Sequence, residues 1–275
     1  MIPCYNGATS RPYPLEDDIR AAAAAGFPMI ELWAEKFDRF FTTHTRDDLD
    51  RLLDENKLKV AAIDLVALDY SDAANVDTAV QRTHYLGKIA QAVNCDLLLL
   101  CSWGDLHGRT KEEGLSLVAE YLKPVCAAAA EYGCRLAIEP LGRHAILPGC
   151  KEALAVIEQA EQPNLGVMWD FFHYYRSDVP LDEIRAIPLE KLWLVHVDDA
   201  PDLPRAEMKD SDRVYPGTGA LPLPDYFQIL REKRYTGPVS VELFNQTYYQ
   251  QPVEEIARQA YRSLMPFLEE QSWPL

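Results

Sequence analysis

Four residues at the ends of successive apolar runs could hold a cation and move a proton. The first run ends Ala137-Ile138-Glu139-Pro140 and the next ends Met168-Trp169-Asp170. The third reads Leu194-Val195-His196-Val197-Asp198-Asp199 and the fourth Ser240-Val241-Glu242-Leu243. Ionised carboxylates with nothing to pair are costly among apolar side chains. A bound cation resolves that cost. Three carboxylates and one imidazole favour a hard to borderline divalent ion: Mn²⁺, Co²⁺, Mg²⁺ or Zn²⁺.

Each residue also has a plainer explanation. Asp170 could cap the helix that follows it, since Asp is a favoured N-cap. His196 alone could be a satisfied core histidine. Glu139 could pair with Arg143. Glu242 is the hardest to explain away, because an unpaired Glu inside an apolar strand is rare. The four together, on successive strands, point to one metal site.

Other candidates carry less weight. His173 lies three residues after Asp170, within reach of a substrate or a second metal, or in a structural role. Arg213, in Asp212-Arg213-Val214-Tyr215-Pro216-Gly217, could bind an oxyanion or hydroxyl, or sit in a surface ion pair. Trp33, Trp103 and Trp169 lie near strand ends, as pocket wall or as core. Asn6, His107 and His144 fall near the same rim.

Eight β-like runs must position these residues. They are Ile2 to Tyr5, Met29 to Trp33, Val60 to Val66, Asp96 to Cys101, Arg135 to Glu139, Leu165 to Asp170, Leu192 to Val197 and Val239 to Leu243. Runs such as Leu97-Leu98-Leu99-Leu100 suit parallel strands buried on both faces. Amphipathic stretches alternate with them. One spans about Pro14 to Ala25, with acids in its first turn and a stop at Gly26. Thr110 to Glu113 forms a capping box for a helix ending near Gly133. A last helix from about Pro252 carries Ile256, Ala260, Leu264 and Phe267 on one face. Eight β–α repeats predict an α/β fold, a (β/α)₈ barrel forming one domain over 1–275. The open doubly wound sheet is weakened by the lack of G-x-G-x-x-G after the first strand. In barrels of this kind the active site lies at the C-terminal strand ends. The longest irregular stretch, Asp198 to Leu223, follows the seventh strand, where long loops are often functional.

The 275 residues are close to the roughly 250 such a barrel takes, and 48% are hydrophobic, enough for a full core. With 27 basic against 43 acidic residues, the formal net charge of −16 argues against nucleic acid as a partner. Six scattered cysteines without a C-x-x-C pair suit a reducing compartment. No signal peptide or membrane span is evident, so a cytoplasmic protein is expected. The exposed helices leave room for a homo-oligomer.

The chain resembles the sugar-phosphate isomerase/epimerase superfamily, the xylose isomerase-like barrels that include endonuclease IV. The resemblance runs from Cys4-Tyr5-Asn6-Gly7-Ala8-Thr9 to the final helix and is closest in the inosose (2-keto-myo-inositol) isomerase branch. Its most specific stretches are His196-Val197-Asp198-Asp199, Asp212 to Gly219, and Val239 to Phe244 followed by Tyr248-Tyr249. It implies one divalent metal on Glu139, Asp170, His196 and Glu242. It also implies Lewis-acid stabilisation of an enediolate of a small polyhydroxylated keto substrate, with Glu139 and Glu242 exchanging the proton. His173, Arg213, Asn6, Trp103 and His107 are then candidates for substrate contact.

Departures from relatives narrow the reading. Endonuclease IV relatives need further histidines that the third strand, ending Ile63-Asp64-Leu65-Val66, does not supply. Ketose 3-epimerases usually place an arginine six residues after the metal-binding histidine, where this chain has Asp202. Dehydration of an inosose or of 3-dehydroshikimate and isomerisation of hydroxypyruvate remain rivals, because fold alone does not set substrate. A non-catalytic binding subunit is the remaining alternative.

Overall fold

The computed structural model describes residues 1–104 and 106–269. Eight parallel strands close into a barrel in sequence order: β1 Ile2–Asn6, β2 Met29–Trp33, β3 Lys59–Asp69, β4 Leu97–Trp103, β5 Arg135–Glu139, β6 Leu165–Asp170, β7 Leu192–Val197 and β8 Pro238–Val241. The expected (β/α)₈ architecture is therefore present, and four strands keep the bounds read from the sequence.

The other boundaries differ for physical reasons. β3 runs on to Asp69 because Ala67, Leu68 and Asp69 find partners in Cys101, Ser102 and Trp103 of β4, past a register shift between Ile63 and Val66. β8 stops at Val241, so Glu242 lies one residue beyond it. The apolar residues after Val241 pack without joining the ladder: Leu243 is fully buried, and its N–H donates to Thr9 Oγ1.

The chain divides into two compact units, Met1–Ala61 with Leu194–Leu275, and Ala62–Trp193. In the first, β1 lies between β2 and β8, pairing Cys4 with Met29 on one side and with Ser240 on the other. Helix Leu15–Ala25 has three acids in its first turn, a favourable place for negative charge. It ends at Gly26, whose φ of 106° only glycine adopts readily. It packs against helix Val253–Leu268, which buries Ile256, Ala260, Leu264 and Phe267 as the periodicity requires. Beneath the first helix, Lys36 Nζ pairs with Asp18 and donates to the Ser10 carbonyl, and both side chains are buried.

In the second unit, β4 is flanked by β3 and β5, and Leu97 to Leu100 are at most 1% exposed. That burial explains their uninterrupted apolar sequence. Helix Lys111–Ala130 begins at the expected capping box, with Thr110 and Glu113 each accepting the other's backbone N–H. Helix Ala74–Ala92 packs against it, and Tyr132 lies so close to Gly87 that a side chain there would overlap the ring.

Candidate metal centre

The candidate residues stand where strands end, and each unit builds its own set of contacts. In the first unit, β2 is apolar except for Glu31, which is fully buried. Its partner is His196, near the end of β7 and also fully buried: Nε2 lies 3.1 and 3.0 Å from the two Glu31 oxygens. The other ring nitrogen, Nδ1, lies 3.1 Å from Glu242 Oε2. Each ring nitrogen therefore faces a carboxylate; Nε2 meets Glu31 with hydrogen-bond geometry, and a proton placed there leaves the Nδ1 lone pair for a cation.

Glu242 is held from two further directions. Asn6 Nδ2 donates to Oε1 at 3.2 Å, and Arg213 Nη1 donates to Oε2 at 2.9 Å. The same Nη1 donates to Asp198 Oδ2 at 2.7 Å, and Nη2 to Asp210 Oδ1 at 3.1 Å. Arg213 is 1% exposed, which rules out the surface ion pair considered from sequence. Three carboxylates around one guanidinium make burial of its charge tolerable.

Arg213 is carried by the long loop after β7, and Asp199 organises that loop. Its Oδ2 accepts the N–H groups of Gly217 and Gly219 at 3.0 and 2.8 Å. Its Oδ1 accepts those of Ala200 and Leu221, both at 2.9 Å. The backbone of Asp199 also pairs with Val214. The glycines in Tyr215-Pro216-Gly217-Thr218-Gly219 thus have a mechanical reason. A side chain at Gly219 would collide with the Ala200 carbonyl.

In the second unit, Asp170 does cap the short helix Phe171–Arg176, its Oδ1 accepting the His173 N–H at 2.7 Å. The capping explanation is thus correct as far as one oxygen goes. Glu139, 6% exposed, accepts from the Cys101 thiol at 2.7 Å, and His173 Nε2 lies 3.9 Å from it. Arg143, the partner considered for Glu139, is instead exposed, and its backbone N–H donates to Ser177 Oγ.

His144 has a structural role. Its Nδ1 accepts the N–H groups of Ile146 and Leu147, while Nε2 contacts the Gly104 carbonyl and the Tyr70 hydroxyl. Burial lowers its pKa, which suits a neutral ring stitching loops together. Trp33 and Trp169 are buried, whereas Trp103, at the end of β4, is 42% exposed. His107 lies in a turn with φ 45° and is exposed.

Among the described residues, one donor atom from each of Glu139, Asp170, His196 and Glu242 lies within 4.8 Å of the others, and all four residues are buried. Metal–donor distances of about 2.0–2.2 Å give a shell at most about 4.4 Å across. The donor chemistry fits a divalent cation. Glu31 and Asp198 were missed from sequence, although a lone Glu inside apolar β2 is the same signal that singled out Glu242.

Fold and site together define a (β/α)₈-barrel enzyme with acids and an imidazole gathered at strand ends. Residues 19–269 match the family described as xylose isomerase-like TIM barrel, and the chain belongs to that family. Inosose isomerase of Halalkalibacterium halodurans is 29% identical over 265 residues, covering 94% of this chain and 93% of that one. A 3-dehydroshikimate dehydratase of Pseudomonas aeruginosa is 27% identical over 94% of this chain, but over only 40% of its own. The crystal structure of IOLI protein with a binding zinc atom superposes with a TM-score of 0.92 at 23% identity, covering 98% of both chains. No helix among the described residues is long and apolar enough to cross a membrane.

Proposed function

We propose that the chain is a divalent-metal-dependent isomerase of keto-inositols or closely related keto sugars, with Glu139, Asp170, His196 and Glu242 as ligands. The observation that carries this reading is the buried group of three carboxylates and one imidazole. Full-length similarity to an inosose isomerase supports the substrate class.

Lewis-acid polarisation of the substrate carbonyl is the chemistry a divalent ion supplies in such a site. The protein's own residues do the rest. One of the two glutamates removes the proton from the hydroxyl-bearing carbon next to the carbonyl. The other delivers a proton to the former carbonyl carbon, and a hydroxyl proton moves between the two oxygens. Asn6 and Arg213 fix the orientation of Glu242, while Cys101 and His173 flank Glu139. His173, beside Glu139, is the strongest candidate to meet a substrate hydroxyl, and Arg213, its guanidinium held by three carboxylates, acts through Glu242; Trp103 and His107 would reach substrate only from the rim.

The test is incubation of the protein in D₂O with Mn²⁺ and 2-keto-myo-inositol, followed by proton NMR beside an EDTA-treated control. Metal-dependent formation of a new inosose is expected. An enol or diketone product would move the assignment to a dehydratase, the second reading that the Pseudomonas relative favours. No exchange with metal bound would reject inosose and leave hydroxypyruvate and free ketoses to try.

A further inference from the structure

We infer that Glu31 is a positioning residue that selects which nitrogen of His196 becomes the metal donor. The inference rests on the metal-site reading above.

Glu31 sits at the centre of β2, directly opposite Asn6 of β1 in the parallel register. It is 0% exposed, and a buried carboxylate is tolerated only where donors meet it. His196 Nε2 provides that contact, with both Glu31 oxygens within 3.1 Å. The consequence reaches the opposite edge of the ring. A proton held on Nε2 leaves Nδ1, 3.1 Å from Glu242 Oε2 of the grouped carboxylates, with its lone pair for a cation. A negative charge on the far side of an imidazole also makes the near nitrogen a better donor.

Steric neighbours preserve the arrangement. Asn6 lies opposite Glu31 in the β1–β2 register and donates to Glu242 Oε1, so it links the strand of one carboxylate to the other. Cys4, two residues before Asn6, is a second potential proton donor or ligand in this region. Burial first, and then the nearby charge of Glu31, push its thiol well up. Flipping the His196 ring would exchange Nδ1 with Cδ2 and Nε2 with Cε1, taking both nitrogens away from the carboxylates they face.

The measurements are Mn²⁺ and Zn²⁺ affinity by chelator competition, and ¹⁵N-histidine NMR of the Zn²⁺-loaded protein. In the wild type, the NMR is expected to show Nδ1 as the coordinated nitrogen and a slowly exchanging proton on Nε2. Glu31→Ala is expected to weaken metal binding about 10- to 100-fold and to release that proton to solvent exchange. Glu31→Gln keeps an acceptor oxygen without the charge, so it should rescue part of the affinity and the slow exchange. If Glu31→Ala fails to fold, the near-isosteric Glu31→Gln and the wild-type spectrum still decide. Coordination through Nε2 in the wild type would overturn the inference. So would folded variants that bind within twofold of the wild type. A wild type that binds no metal would sink the metal-site reading, and this inference with it, whereas tight wild-type binding matched by both variants would sink this inference alone.

Discussion

Arg213 and Glu242 are 29 residues apart in sequence, yet Nη1 of one lies 2.9 Å from Oε2 of the other, with both side chains buried. The guanidinium reaches Asp198 and Asp210 from the same position. Removing it strands carboxylates in a water-poor region. Arg213→Met is expected to cost about 3–5 kcal/mol of stability, the usual penalty for breaking a buried pair by one partner. Urea unfolding monitored by circular dichroism measures it. Arg213→Lys should recover little, because one ammonium cannot reproduce the forked contacts.

Proton transfer by the two glutamates makes a separate prediction. Glu139→Gln and Glu242→Gln should each slow α-proton washout in D₂O by about 10²- to 10⁴-fold, the span of general acid–base catalysis. Far-UV circular dichroism should stay unchanged. Full activity in either variant would contradict the two-glutamate mechanism.

The barrel and the four grouped residues were legible because they share one signal, a polar side chain closing an apolar run. That signal stands out at Glu139, Asp170, His196 and Glu242. Glu31 carries it too, but it sits mid-strand, and without the pairing of β1 with β2 nothing joins it to a histidine 165 residues away. Arg213 was visible as a motif residue, yet its burial depends on how Asp199 folds the loop, a contact pattern that no local periodicity encodes. The end of β3 was misjudged for a similar reason: Ala67 to Asp69 are strand only because β4 offers them partners.

Metal binding should register as stability, since the folded chain gathers the ligands and the unfolded chain does not. At a free metal concentration about 100 times Kd, the gain is about 2.7 kcal/mol. At about 2–4 °C per kcal/mol for a chain of this size, the melting temperature should rise by about 5–10 °C. Differential scanning fluorimetry with Mn²⁺, Zn²⁺, Co²⁺ and Mg²⁺ against an EDTA control would rank the ions. An equal, null response to all four would argue against a site assembled by folding.

The Asp18–Lys36 pair predicts a pH dependence of stability. Burial pushes the Asp18 carboxyl from 3.8 up to about 7, with Lys36 opposing the shift. Between about pH 4 and 7 the folded chain therefore holds a proton that the unfolded chain has released. Stability from this group is full below pH 4 and falls as pH rises toward 7. The double variant Asp18→Asn/Lys36→Met lacks the titration. The wild-type advantage over it, read from urea midpoints, should shrink across that window; a constant difference would remove the group from the pH profile.

Asp199 predicts a loop phenotype. Asn at that position keeps one acceptor oxygen and turns an NH₂ toward backbone donors, so Asp199→Asn should loosen the segment that holds Arg213. Gly219→Ala should act likewise by forcing the Ala200 carbonyl aside. Both should raise amide hydrogen exchange across residues 199–221 and cost about 1–3 kcal/mol. Unchanged exchange there would show that the loop is held by other contacts.

The four N–H groups that Asp199 gathers all belong to the segment it opens. A stretch whose clasp is its own second residue is a cassette, folded by contacts between Asp198 and Leu221 and pinned to the scaffold through Arg213 and Tyr215. Swapped as a unit from Asp198 onward, it could be exchanged for a relative's version to retune substrate choice, whereas a graft begun at Ala200 would leave its fastener behind.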